Sequence, residues 1–514
     1  MTSAAASAPW QQTEIALTAT EHPANPYTDV EVWADFTDSS GDTLRRPGFW
    51  DGGDSWRIRF AAPSSGRWTW SSEASTGDPG LAQSGELMVS ETSTGGGVFR
   101  EHGFWRMAPD ARSLVHADGK PALLIGDTAW ALPWRATRDQ VEVYAADRHR
   151  KGFNAVLLMT VQPDMRAVGP RDRDADEGFD VGFEDLADGH LNESVPSYFQ
   201  YFDRLVEILR RHDIVPVLQP VFFGFGWKGL DVAGPVVPPA EYARYCRYLV
   251  ARYGAGPAVY LIGADGSGTE PQLAAGGAEI ESSDAYGQPA GLHYRPHATN
   301  AAHQDADWLD FQWCQTGHTG EHAAERVADM WRNLPVKAVA NGEPTYEGTR
   351  TPDMGAGWWQ GDEAWGNLCA GGTMGVVYGA ASLWQWVLRP DEPGQMAYFL
   401  APGMSWRDAL DFPGSTYVGI VGKILEGLPL TGMKPGWQDV LAARCLIVPG
   451  RLLINYASNG GPLIIISDHD VPLTYRVVDP RTAAVVARGR RSHALDPIPD
   501  PGGAPRVYIC CDEA

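Results

Sequence analysis

Between residues 121 and 390 eight short apolar runs recur, most of them separated by stretches of helical spacing, and this alternation limits the fold more than any other feature. The runs are PALLIGDTAW, NAVLLMTVQPD, IVPVLQPVFF, AVYLIGADGSG, QPAGLHYRPH, DWLDFQWCQTGH, VKAVANGEP and GTMGVVYGAASLWQW. Between the early ones, RDQVEVYAADRHRKGF, SYFQYFDRLVEILRRHD and EYARYCRYLVARYGAG have one apolar face; later helices are expected near 322–333 and 362–370. Helix followed by a continuously apolar strand indicates an α/β fold with a parallel sheet. Eight such strands over this length predict a (β/α)8 TIM barrel. A doubly wound sheet is the competitor, but the GDTAW turn after the first run lacks the G-x-G-x-x-G phosphate loop. The stretch GSGTEPQLAAGGAEIESSDAYGQ, after the fourth run, reads as a Gly-rich, acidic loop.

The flanks obey a different period. Residues 1–98 carry alternating runs such as TEIALTAT, VEVWADFT, SWRIRFAAP and GRWTWSS between turn clusters, which predicts an N-terminal β-sandwich. Trp56, Trp68 and Trp70 alternate as core residues do, so a structural sandwich is favoured over a sugar-binding module. Three glycines near residue 95 form a joint, with two short strands expected after it. From about residue 433 the runs ARCLIVPGRLLINYA, PLIIISD, LTYRVVDPRTAAVVARGR and RVYICCD predict a C-terminal β-sandwich. The expected domains are therefore 1–98, 99–432 and 433–514.

A formal net charge of −23 argues against nucleic acid or an anionic membrane as partner, since both require a basic face. Twenty tryptophans, many near predicted strand ends, point weakly to carbohydrate, because indole faces suit the C–H faces of sugars. Cys246, Cys314, Cys369, Cys445, Cys510 and Cys511 have no repeated spacing and read as reduced thiols. The first residues lack a basic and apolar leader, and no run approaches the roughly 18 apolar residues of a membrane span, so a cytoplasmic protein is expected.

The chemistry is expected where strands end. VKAVANGEPTYEG delivers Glu343 into a turn at the end of the seventh strand, and AVYLIGADGSG places Asp265 at the end of the fourth. In a barrel these two ends face each other across the C-terminal mouth, where active sites lie. Two facing carboxyls suit glycoside hydrolysis: one protonates the leaving oxygen while the other attacks or stabilises the anomeric carbon. Sugar contacts are expected from Asp127 and Trp130 at the first strand end, Gln162 at the second, Gln219 and Phe223 at the third, His318 at the sixth, Tyr346 beside Glu343, and Trp384 or Trp386 at the eighth. His293 or Arg295 at the fifth strand end could supply a positive field that keeps one of the two carboxylates ionised, although both could equally be structural. Glu347 reads as a loop or supporting residue.

Taken together, LIGDTAWALPWRATRDQVEVYAADRHRKGFNAV, LIGAD, HYRPH, FQWCQTGH, NGEPTYEG and MGVVYGAASLWQW resemble the apiosidase-like family of glycoside hydrolases over residues 100–430. The resemblance implies a barrel flanked by β-sandwiches. It also implies Asp265 as acid/base and Glu343 as nucleophile in a retaining mechanism that needs no cofactor. The implied substrate is a furanoside, apiose or an arabinofuranose-like sugar, removed from the non-reducing end; the missing leader adds the expectation of small imported glycosides or oligosaccharides. Other classes fit less well. H-E-x-x-H and Cys-pair metal motifs are missing, His293 and His297 bracket a proline, and Gly266-Ser267-Gly268 does not meet G-x-S-x-G. A non-catalytic carbohydrate-binding barrel, or a glycosidase of different sugar specificity, stays open.

Overall fold

The computed structural model describes residues 8–91, 97–166, 181–224, 231–296, 300–316, 324–349, 357–392, 403–441, 444–466 and 470–512. At its centre stand eight parallel strands: β1 (Leu124–Thr128), β2 (Ala155–Met159), β3 (Val215–Gln219), β4 (Val259–Gly266), β5 (Ala290–Tyr294), β6 (Phe311–Gln315), β7 (Ala338–Glu343) and β8 (Gly375–Gly379). They pair in the order β7-β6-β5-β4-β3-β2-β1-β8. Every residue of all eight is buried, which is why the sequence shows continuous apolar runs without alternation. The ring closes just beyond the strand ends. There the Glu347 N–H donates to Gly379 O at 2.9 Å, and the Ala381 N–H donates to Glu347 O at 2.9 Å. The chain thus forms a TIM barrel with antiparallel sheets on either side.

The barrel helices are α1 (Arg138–Lys151), α2 (Pro196–Arg211), α3 (Pro239–Tyr253), α4 (Pro271–Ser283), α5 (Ala324–Trp331), α6 (Trp359–Cys369) and α7 (Pro413–Leu425). A capping box between Thr137 and Gln140 starts α1, and Gly152, at φ 106°, ends it. Two helices depart from the sequence expectation. The stretch read as a Gly-rich loop is α4, and α7 lies beyond the last predicted run. Gly276 and Gly277 each cost about 1 kcal/mol in helix propensity, which hides α4. They are there for close packing: a Cβ on Gly276 would meet the Tyr242 ring at 2.6 Å, and one on Gly277 would meet the Trp308 indole at 2.3 Å.

The N-terminal sheet runs Gln12–Thr18, Ser55–Ala61, Thr43–Gly52, Val32–Thr37, Gly66–Ala74, Ser84–Val89 in spatial order. Its long strand pairs through residues 43–47 with one half and through 48–52 with the other, so the sheet folds over itself as a sandwich. Ile15, Phe36, Ile58, Phe60, Trp56 and Trp68 fill the space between, and Trp70 is half-buried. The joint holds a short helix, Val98–His102, and three short strands, Trp105–Met107, Leu114–His116 and Pro121–Ala122, where two strands were expected.

An ion network fixes the sandwich to the barrel. Asp203 of α2 takes Arg59 at 2.6 Å and Arg252 at 2.9 Å, and Arg252 also reaches Asp51 at 2.9 Å. The C-terminal sheet packs one face on the barrel through Leu446, Leu452, Ile454, Tyr456, Val507 and Ile509, and the other on its own layer of Val440, Leu463, Ile465 and Ile498. Cys510 and Cys511 therefore point to opposite faces, and all six cysteines are free. Among the described residues no helix is long and apolar enough to cross a membrane.

Candidate active site

Each candidate carboxylate sits where its strand leaves the regular ladder. Between Leu261 and Gly266, β4 carries two residues more than the β5 segment it faces, and Asp265 adopts a left-handed backbone at φ 60°. On β7, Gly342 is an extra residue against the Cys314–Gln315 step of β6. Bulges of this kind re-aim side chains at strand ends. Both need a missing side chain beside them. A Cβ on Gly342 would lie 2.5 Å from the Trp313 ring, and one on Gly224 would lie 2.3 Å from the Asp265 Cβ.

The result is a compact buried cluster. One oxygen of Asp265, one of Glu343 and one ring nitrogen of His293 all lie within 4.8 Å of one another. The His293 Nε2 stands 3.4 Å from Glu343 Oε2, and the Gln315 amide donates to Asp265 Oδ1. Trp130 lies against the His293 ring, with centroids 6.4 Å apart and planes 25° from parallel, and its indole N–H donates to the Tyr346 hydroxyl at 3.2 Å. Trp384 follows, 6.4 Å from Tyr346. Thus Trp384, Tyr346, Trp130 and His293 form a continuous arc that ends on Glu343.

Burial sets the electrostatics of this arc. It pushes the His293 imidazole down to about 3, so the ring is neutral near neutral pH. Burial first, and then the charge of Glu343, hold the Tyr346 phenol well above its ordinary range. The cation expected beside Glu343 is not supplied by the two residues named for it. His293 is uncharged, and Arg295 is exposed at the rim, with no ion pair to Glu343 among the described residues. Neither His293 nitrogen has a hydrogen-bond partner among the described residues. A buried polar group in that state is available to a ligand hydroxyl.

Two expected sugar contacts face the wrong way. Asp127 points from β1 into the helix layer, where the Tyr144 hydroxyl donates to Oδ2 at 2.9 Å, the Arg148 Nε donates to it at 2.5 Å, and the Thr128 N–H donates to Oδ1 at 2.8 Å. Trp386 stacks on Trp406 with centroids 4.9 Å apart and donates its N–H to Gln140 of α1 at 2.9 Å. Asp127 lies on β1, where side chains alternate and a run buried on both faces does not reveal which residue points inward. Trp386 lies beyond β8 and the short helix Ala381–Trp384, so its direction follows from the loop and not from strand alternation. Gln162 and Gln219 are buried on the rim of β2 and β3. Both amide atoms of Gln162 and the Oε1 of Gln219 lack hydrogen-bond partners among the described residues, while Gln219 Nε2 donates to Val221 O at 3.1 Å. Phe223 is buried near the β4 bulge, within 3.2 Å of where a Gly263 Cβ would stand. His318 lies outside the described residues.

Sequence reasoning missed three residues here. Gln315 ends β6 within the apolar run FQWCQ, and Gln385, between two tryptophans, is buried with both amide atoms unpartnered among the described residues. Glu363 of α6 is buried behind the Glu343 turn. No local spacing marks any of them.

A (β/α)8 barrel with two carboxyls converging at its C-terminal mouth, walled by aromatic rings, defines the class of barrel glycoside hydrolases. Comparison with known proteins narrows it. The family model described as "Apiosidase-like, catalytic domain" matches residues 108–432, and this chain belongs to that family. A domain of unknown function, DUF5060, matches residues 7–75. Among solved structures, a putative glycoside hydrolase from Bacteroides vulgatus is similar over 98% of this chain and 99% of its own, with a TM-score of 0.70 and 15% identity. A second, titled simply glycoside hydrolase, covers 80% and 97% with a TM-score of 0.66 and 20% identity. A family 5 glycoside hydrolase from Bacteroides vulgatus covers 80% and 94%, with a TM-score of 0.63 and 21% identity. At these identities the likeness carries the fold. No curated protein matches the chain in sequence.

Proposed function

We propose that this glycoside hydrolase is an exo-acting, retaining furanosidase that releases a terminal pentofuranose, apiose or an arabinofuranose-like sugar, from small glycosides or oligosaccharides. The observation that carries the reading is the proximity of the Asp265 and Glu343 oxygens, within 4.8 Å. Retaining enzymes keep their carboxyls about 5–5.5 Å apart, whereas inverting ones leave about 6.5–9.5 Å for a water. In this reading Glu343 attacks the anomeric carbon and Asp265 protonates the departing oxygen; Asp265 then takes a proton from the water that releases the sugar. His293, whose ring nitrogens have no hydrogen-bond partner among the described residues, holds a sugar hydroxyl beside Glu343, and Trp130, Tyr346 and Trp384 form the wall. The sugar class rests on the apiosidase-like family description.

The test is hydrolysis of 4-nitrophenyl pentofuranosides, apiofuranoside and arabinofuranoside, against hexopyranosides, with the first-formed anomer read by proton NMR. Turnover of a pentofuranoside with the starting anomer appearing first is expected. An inverted first product removes the retaining mechanism, and turnover confined to hexopyranosides removes the sugar assignment. Asp265, His293 and Glu343 are also a donor set for a divalent cation, which favours a second reading. Activity lost on dialysis against EDTA and restored by a metal would support it; undiminished activity would exclude it.

A further inference from the structure

We propose that Glu363 is a positioning residue for Glu343, an inference that rests on Glu343 being the nucleophile. At Gly342 the ladder between β6 and β7 breaks, and the next residue after Glu343 is Pro344, which has no N–H to give. Pairing with β6 resumes at Glu343, opposite Gln315, and stops there, so Pro344 and Thr345 just beyond it are not held by that ladder. Glu363, on the inner face of α6 and 1% exposed, takes over. Its Oε2 accepts the Thr345 N–H at 3.0 Å, and its Oε1 accepts the Thr316 hydroxyl at 2.7 Å.

Thr316 completes the circuit by donating its own N–H to the Glu343 carbonyl at 3.1 Å. The Asn341 side chain lies within hydrogen-bond reach of the Thr316 hydroxyl at 2.9 Å. With its amide turned over, its nitrogen donates to the Glu343 carbonyl at 3.1 Å and its oxygen accepts the Thr316 hydroxyl at 2.9 Å. Where the hydroxyl proton goes to Glu363, the Glu343 carbonyl, through Thr316, and the Thr345 N–H are both tied to one carboxylate from the helix behind; the Thr345 bond is present in either orientation. Burying a carboxylate is expensive unless it is satisfied, and an apolar residue would pack α6 against the barrel without that penalty. What the carboxylate adds is a fixed turn, and a displacement of about 1 Å at such a site can lower a rate about 10²-fold.

The experiment uses the full chain with Glu363→Gln and Glu363→Asp, on 4-nitrophenyl β-D-apiofuranoside or whichever aryl pentofuranoside the unsubstituted enzyme hydrolyses. Glu363→Gln is expected to lower kcat about 10- to 100-fold, with KM within about twofold and an unchanged melting temperature, and Glu363→Asp to recover part of the loss. In Glu343→Gly supplied with azide, the incoming nucleophile is no longer on the chain. There Glu363→Gln should leave the rescued rate unaltered. The kcat and KM split decides on its own, and the azide arm locates the effect. An unchanged kcat, a loss expressed in KM, or an equal loss in the azide-rescued rate overturns the proposal. Full turnover in Glu343→Gly without azide would instead overturn the nucleophile reading, whatever Glu363→Gln does.

Discussion

Two buried carboxylate clusters stand at the C-terminal ends of strands in the same barrel, and they differ in what their polar atoms are given. Asp127, on β1, has both oxygens filled by Tyr144, Arg148 and the Thr128 N–H. Across the barrel, Asp265 and Glu343 share a site with a histidine whose ring nitrogens have no hydrogen-bond partner among the described residues. In the first cluster both carboxylate oxygens are taken by the protein's own donors. The second has capacity left over, in a place where unsatisfied groups are costly. Strand-end position alone does not separate structure from chemistry; partner accounting does.

The sharpest way to break this contrast is to remove charge from each cluster and ask whether activity or stability fails. Asp265→Asn should lower turnover about 10²–10⁴-fold and Glu343→Gln at least as much, with the fold retained. A 2,4-dinitrophenyl leaving group needs no proton, so it should restore kcat/KM, which reports the first step, in the first variant and not in the second, while kcat stays limited by the water step that Asp265 also serves. If kcat/KM of Asp265→Asn is equally low on that substrate, the acid assignment fails. Asp127→Asn should do the opposite, costing about 1–3 kcal/mol of stability because Arg148 keeps only Asp147 as an acidic partner among the described residues. Denaturant unfolding measures it. A stable, inactive Asp127→Asn would place Asp127 at the sugar after all.

How much of this was legible follows from the same alternation. Eight buried strands announce themselves as apolar runs, so the barrel, Asp265 on β4 and Glu343 on β7 were readable. Direction was not: in a strand buried on both faces, Asp127 and Trp130 look alike as strand-end residues, yet one turns to α1 and the other to His293. Helix α4 was hidden because Gly276 and Gly277, which read as loop residues, are there to admit Tyr242 and Trp308. Gln315 and Glu363 act through contacts made across the fold, and no window of sequence contains both partners.

Glu347 lies between the two extremes and gives a pH test. Its carboxyl accepts the Tyr378 hydroxyl at 2.7 Å and the Gly414 N–H at 3.0 Å, yet burial pushes it up to about 7 against those bonds and against Arg148 and Lys151. Between its ordinary 4.5 and about 7 the folded chain binds more protons here than the unfolded one, so this contribution to stability is full below 4.5 and is lost as pH rises to 7. His293, pushed down to about 3, works in the opposite sense, its contribution being lost as pH falls below 6.5. Comparing the unsubstituted protein with Glu347→Gln cancels His293. The stability difference should move in favour of the glutamine variant by about 2–3 kcal/mol from pH 4.5 to 7.5. A difference that stays flat would mean that Glu347 is as well satisfied as Asp127.

The smallest expected effect separates the two tryptophans of the eighth strand end. Trp386→Phe keeps a ring against Trp406 and loses only the N–H given to Gln140, a change worth about 0.5–1.5 kcal/mol of stability with kcat and KM unmoved. Trp384→Phe, next to Tyr346 on the site side, should leave stability nearly as it is and raise KM for an aryl pentofuranoside severalfold, because a sugar loses part of its indole wall. The pair of measurements matters more than either alone. If Trp386→Phe raises KM and Trp384→Phe does not, the sugar lies on the α1 side of the loop after β8, and the division between the two clusters has been drawn the wrong way round.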